Sequence, residues 1–214
     1  MAVKSIINEV ARMDQNRFAA GPNVFFSRRS HKEEWEWVIL SYLTNILLSI
    51  GRGAPLYAEK LNQSDADFQS YLTPEKTFRK IEVTEVFRSD YRRTEHYREI
   101  AKGDCNRSAI LPSPHPQPWL SFAHVLREKL AKSYGAGSWL LIYHNMTPPE
   151  FNGWESIPWH DLVLNELRTW TKDSPTTCDI TKSCYESIYV VDCEGKAAVR
   201  LHPHWDIVKA ARLP

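Results

Sequence analysis

The stretch Asp65-Ala66-Asp67-Phe68-Gln69-Ser70-Tyr71-Leu72, Thr73-Pro74-Glu75-Lys76, Thr77-Phe78-Arg79-Lys80-Ile81-Glu82-Val83-Thr84-Glu85-Val86 decides the fold. Thr73 to Lys76 reads as a hairpin loop of ordinary length. Counting outward from it sets Leu72 against Thr77, Phe68 against Ile81 and Asp67 against Glu82. Side chains alternate between the faces of a strand, so Asp65, Asp67 and Gln69 share a face with Lys80, Glu82 and Thr84. Ala66, Phe68, Ile81 and Val83 share the other, which predicts one apolar face packed on a helix and one face carrying three carboxylates around a lysine.

Opposed residues on an antiparallel pair have Cβ atoms roughly 4.5–5.5 Å apart, close enough for like charges to repel. A divalent cation offsets that repulsion. Mg²⁺ takes hard oxygen ligands and keeps several waters, so two carboxylates on neighbouring strands suit it. The same pattern also fits a solvent-facing hairpin in which water and Lys80 screen the pair.

Outward from the hairpin, Ser30 to Ile50 reads as a central helix. Ser30 stands at the cap position, Glu33 completes a capping box, and Trp35, Val38, Ile39, Tyr42, Ile46 and Leu47 fall at helical spacing. Extended segments are expected at Ala54–Asn62, Ala66–Leu72 and Thr77–Phe87. A charged helix follows from about Ser89 to Lys102, and Trp119 to Tyr134 is a helix with Trp119, Phe122, Leu126 and Leu130 on one face, stopped by Gly135. Trp139–His144 has the length and apolar continuity of a buried strand. A helix over Trp159–Thr171 and a hairpin of Ser187–Asp192 with Lys196–Leu201 complete an α/β chain with a mixed sheet.

A helix bearing acidic residues, a strand with Asp67, a hairpin, the strand Ile81-Glu82-Val83-Thr84-Glu85-Val86, then helix and apolar strand together resemble the core of the PD-(D/E)XK nuclease superfamily. They are most similar to bacterial members with an IEVTE-type third core strand. The resemblance covers Ser30 to His144. It implies a restriction-endonuclease-like mixed β-sheet flanked by helices, with the C-terminal helix and hairpin (residues 155–214) as an elaboration of one domain spanning 1–214. It also implies a Mg²⁺- or Mn²⁺-dependent nuclease acting on DNA phosphodiesters, with Asp67 and Glu82 as metal ligands and the Val83 carbonyl as a third.

Thr84 departs from the motif, whose lysine belongs there, and a hydroxyl cannot supply positive charge to a developing transition state. Lys80, two residues before Glu82, and Lys129, projecting from the next helix, are the candidate replacements, with Lys132 behind them. A further helix carboxylate is expected from Glu34, on the row of Val38 and Tyr42, or from Glu33 or Glu36 if the helix is rotated. Glu85 points to the opposite face from Glu82 and reads as structural. The missing lysine also fits a catalytically inactive module that binds nucleic acid or a protein partner, and the eight tryptophans would suit a protein-interaction surface.

Composition bounds these readings. The 214 residues are 43% apolar, with 27 Lys+Arg against 26 Asp+Glu, enough for a real core and too balanced for a grossly basic nucleic-acid coat. Disordered and fibrous classes are excluded. Neither a signal peptide nor a membrane span is expected. Cys105, Cys178, Cys184 and Cys193 lack metal or disulfide-scaffold spacing, which points to reduced thiols and a cytoplasmic protein. Arg88, Arg92, Arg93, Arg98, Lys102 and Arg107 are interleaved with Tyr91 and Tyr97 but also with acids, so they read first as a salt-bridged solvent face, with a phosphate contact left open by their place after the motif strand. His202 and His204 lack further ligands for zinc.

Overall fold

The computed structural model describes residues 3–20, 30–61, 66–73, 75–86, 118–132, 134–144, 180, 183–191, 197–203 and 206–209. In chain order these form β1 (Lys4–Ser5), α1 (Ile6–Ala20), α2 (Ser30–Ser49), β2 (Ala54–Lys60), β3 (Phe68–Thr73), β4 (Thr77–Val86), α3 (Pro118–Leu130), β5 (Ser138–His144), β6 (Tyr185–Val191), β7 (Ala197–His202) and β8 (Asp206–Lys209). The helices expected at Ser89–Lys102 and Trp159–Thr171 lie outside the described residues.

The strands build one eight-stranded sheet in sequence order, β1 to β8. Pairing is antiparallel from β1 through β4, parallel for β4–β5 and β5–β6, and antiparallel again through β8. The β3–β4 register is the one counted from the loop: Leu72 pairs with Thr77 and Phe68 with Ile81. Lys76 closes the turn with φ 54°, its N–H donating to the Leu72 carbonyl at 3.0 Å.

Alternation then sorts the side chains. Phe68, Ile81 and Val83 join Trp37, Leu40, Leu43 and Leu47 of α2 in one buried cluster on the first face of the sheet, and the rings of Trp37 and Phe68 meet edge to face at 4.8 Å. Val86, Leu140, Ile142, Ile188 and Val190 pack with Phe122 and Leu126 of α3 in a second cluster on the opposite face. An α/β architecture with helices on both faces of a mixed sheet follows from these two patterns.

Three elements add to the expected order. α1, with Ile6 and Met13 buried in the first cluster, packs on α2 and β2. β1 and β8 extend the sheet at its two edges. The helix expected to run to Tyr134 ends at Leu130, since the chain must bend back through Gly135 (φ 87°) and Gly137 (φ 82°) to enter β5. No helix among the described residues is long and apolar enough to cross a membrane.

Candidate functional site

The β3–β4 ladder stops at the Phe68–Ile81 pair, whereas β4 continues beside β5 as far as Val86. Beyond that point no strand among the described residues pairs with the side of β4 that faced β3, and its backbone groups need other partners. Asp67 supplies one: the Val83 N–H donates to Oδ2 at 2.8 Å. The Asp67 carbonyl in turn accepts from the Leu61 N–H at 2.9 Å, tying the residue to the end of β2. A carboxylate is therefore fixed at the fork where the sheet opens, one residue from Glu82.

Charged groups converge on this fork from both faces. On the first face Glu36 of α2 is buried, and Lys60 at the end of β2 makes a short hydrogen bond to Oε2. The same ammonium reaches Asp67 Oδ1 at 3.2 Å and lies 4.4 Å from the centre of the Phe68 ring. Lys32, one turn before Glu36, stands 3.4 Å from Oε1. Thr44 donates to the Pro55 carbonyl at 2.8 Å, so the row Glu36, Leu40, Thr44 is the line along which α2 lies on β2. On the opposite face Glu82 is buried, and Oε1 accepts from Lys129 Nζ of α3 at 2.5 Å and from the Tyr134 hydroxyl at 3.2 Å. Ser138 donates to the Tyr134 carbonyl at 3.0 Å, anchoring the tyrosine to the start of β5.

Electrostatics records the same convergence. Burial and then the neighbouring charge of Asp67 push the Glu36 carboxyl above its ordinary range, against the pull of Lys60 and Lys32. Glu36, Asp67 and Glu82 together raise the Lys32 ammonium although its own burial opposes them. Burial, then Glu82, then Asp67 raise the Tyr134 phenol, which stays protonated and acts as a donor. Among the described residues three carboxylates, Glu36, Asp67 and Glu82, and three ammonium groups, Lys32, Lys60 and Lys129, thus lie around the fork.

Of the residues expected from the sequence, Asp67, Glu82, Val83 and Lys129 lie around this fork, but the pairing expected between Asp67 and Glu82 is not formed: β3 begins at Phe68, and Asp67 turns to the Val83 N–H and Lys60 while Glu82 turns to Lys129. Val83 touches the site through its N–H; its carbonyl was the expected ligand. Lys80 pairs across the ladder with Gln69, two residues further toward the hairpin loop, and the amine on Glu82 is that of Lys129. Glu34 lies on the α1 side, where its charge acts on Arg12. The helix carboxylate at the fork is Glu36, because α2 is rotated relative to the Val38–Tyr42 row on which Glu34 was placed. Glu85 is on the opposite face from Glu82 and accepts from the Tyr143 hydroxyl at 3.2 Å. Lys60 and Tyr134 were not anticipated. The signal for Lys60 was available, a lone lysine ending a strand that leads to an acidic turn; nothing local marked Tyr134.

Among the described residues no group of three or more His, Cys, Asp or Glu side chains is placed to hold a metal ion, and Lys60 stands between Glu36 and Asp67. A hard cation ordinarily takes one or two carboxylates and completes its shell with water and phosphate. Both contacts to Glu82 fall on Oε1, and the buried Glu36 Oε1 is met by the Lys32 ion pair at 3.4 Å. No protein-family model, curated protein or solved structure matches this chain.

Proposed function

We propose that this chain is a divalent-metal-dependent nuclease of the PD-(D/E)XK type, built on a restriction-endonuclease-like core and acting on DNA phosphodiesters. The observation that carries the reading is that Asp67 accepts from the N–H of Val83, the residue next to Glu82, while Lys129 reaches Glu82 itself, an amine delivered where Thr84 offers none. The order α2, β2, β3, β4, α3, β5 supports it, since the resemblance in sequence implies that succession.

Asp67 and Glu82 would hold Mg²⁺ or Mn²⁺, with the Val83 carbonyl as a further oxygen. The ion, when bound, supplies Lewis-acid stabilisation of phosphoryl oxygen and a more acidic water. Lys129 donates to Glu82 and sets a positive charge beside the position of an attacking water or a phosphoryl oxygen. Lys60 holds Glu36 and Asp67 apart in charge, and Tyr134 orients the Glu82 carboxylate by donating to Oε1.

One observation favours a second reading, an inactive nuclease-fold module that binds nucleic acid. Among the described residues each of Glu36, Asp67 and Glu82 already has an ammonium partner, from Lys32, Lys60 and Lys129.

The test is incubation of the full chain with linear, circular and single-stranded DNA in Mg²⁺ or Mn²⁺, alongside Asp67→Ala and Glu82→Ala. The nuclease reading expects cleavage and a cation-induced thermal shift that both variants lose. Binding without cleavage or shift supports the module, and cleavage that survives in both variants removes this site from the reaction.

A further inference from the structure

The face of the sheet that carries Glu82 also carries an exposed aromatic row. Tyr57 of β2 pairs with Tyr71 of β3, and Tyr71 with Phe78 of β4, so the three rings stand side by side across three strands. Alternation places them opposite the buried Ala58, Ser70 and Leu72. Phe78 is 56% exposed and Tyr57 47%, and the Tyr71 and Phe78 rings lie 5.1 Å apart at 59°. The next row toward the fork is Glu59, Gln69 and Lys80, and the fork itself, with Asp67 and Glu82, lies beyond it. At about 3.4 Å per residue, Phe78 is roughly 13 Å along β4 from Glu82.

We infer that this row is a stacking platform for unpaired bases, and that the substrate of the site is single-stranded or frayed nucleic acid; the inference rests on the nucleic-acid reading above. An exposed ring offers a flat apolar face, which a base can cover only when its own face is not hidden inside a duplex. Lys76 and Lys80 lie two residues to either side of Phe78, an alternation of amine and ring that complements a strand whose phosphates and bases also alternate. Glu59 is the acid of the middle row, at the end away from Lys80. Continuity is the second argument: the rings, the lysine and the Glu82 carboxylate occupy one face of one hairpin, so a strand whose phosphate enters the fork runs its neighbouring bases over Tyr71 and Phe78.

The measurement is fluorescence anisotropy of the full chain with a labelled oligothymidylate and with a blunt duplex, in EDTA so that nothing is cut, repeated on Asp67→Ala protein. Tighter binding of the single strand is expected. Phe78→Ala should weaken it roughly 5- to 100-fold, the range for loss of one stacked base, Phe78→Tyr should retain it, and duplex binding should change little. Equal binding by Phe78→Ala, or preference for the duplex, overturns the inference. If the chain never cleaves but its single-strand binding depends on Phe78, the catalytic reading fails and the platform stands; if cleavage requires Asp67 and is indifferent to Phe78, the platform alone fails. Light scattering covers the remaining occupant: a dimer dissolved by Phe78→Ala, with oligonucleotide binding unchanged, makes the row a protein contact and overturns the proposal.

Discussion

Lys129 Nζ lies 2.5 Å from Glu82 Oε1, joining the last turn of α3 to the middle of β4 across 47 residues of chain. Both side chains are largely buried, at 15% and 11% exposure, so removing either partner leaves the other's polar group without that contact away from water. Lys129→Met should therefore destabilise the protein by about 1–3 kcal/mol by stranding a buried carboxylate. Glu82→Gln combined with Lys129→Met should cost less than the sum of the two, and urea unfolding of the four proteins measures that coupling. Any cleavage activity should fall roughly 10²- to 10³-fold in Lys129→Met, and less in Lys129→Arg.

Asp67 has two separable tasks, capping the Val83 N–H and presenting a negative oxygen. Asp67→Asn retains an acceptor for the N–H and loses the charge, whereas Asp67→Ala loses both and leaves a buried donor unpaired, at about 1–3 kcal/mol. Urea midpoints should thus rank wild type and Asn above Ala, while the Mg²⁺-induced thermal shift should vanish in both variants. A shift retained by Asp67→Asn would remove Asp67 from the cation site.

At the start of α1, Glu9 accepts from Arg12 at 2.6 Å and from Lys4 at 2.8 Å. The Arg12 hydrogen bond, outweighing the burial that opposes it, holds the Glu9 carboxyl at about 2, below the ordinary 4.5. A carboxylate depressed in the folded state adds stability that is complete above 4.5 and drains away as pH falls toward 2. Because Lys4 and Arg12 are half exposed, water screens the pairs and the contribution is of order 1 kcal/mol. Melting temperatures recorded from pH 6 to about pH 2 should fall less steeply for Glu9→Gln than for wild type, and the two curves should converge at the acid end.

Gly51 ends α2 with φ 69°, while its N–H donates to the Leu48 carbonyl at 3.0 Å and the Arg52 N–H donates to the Leu47 carbonyl at 2.9 Å. This pair of bonds closes the helix and turns the chain into β2. A Cβ at Gly51 meets no atom within 4 Å, so the cost of Gly51→Ala is conformational alone, about 1 kcal/mol, readable as a lower denaturation midpoint with an unchanged slope.

The hairpin shows how far local reasoning reaches. Its register depends on a loop length and on a period of two, both written in consecutive residues, so the pairing of Phe68 with Ile81 and the opposite facing of Glu82 and Glu85 were legible. Helix rotation was less so. α2 is apolar on most sides, which gives periodicity little phase to work with, and the choice between Glu34 and Glu36 was settled by how Leu40 and Thr44 lie on β2. α1 carries Ile6, Val10 and Met13 on one face but gains its partner only when α2 is already in place.

By itself, then, the sequence determined the described strands and helices around the fork and the faces of the hairpin, because each follows from interactions among near neighbours in the chain, and it singled out Asp67 and Glu82 as candidate carboxylates. Tertiary structure decided which amines those carboxylates meet. Lys129 and Tyr134 approach from the α3 side, and Lys60, Glu36 and Lys32 from the α2 side. No periodicity encodes the distance between two side chains on different layers; it is set by how the helices pack on the two faces of a sheet that opens between β3 and β4.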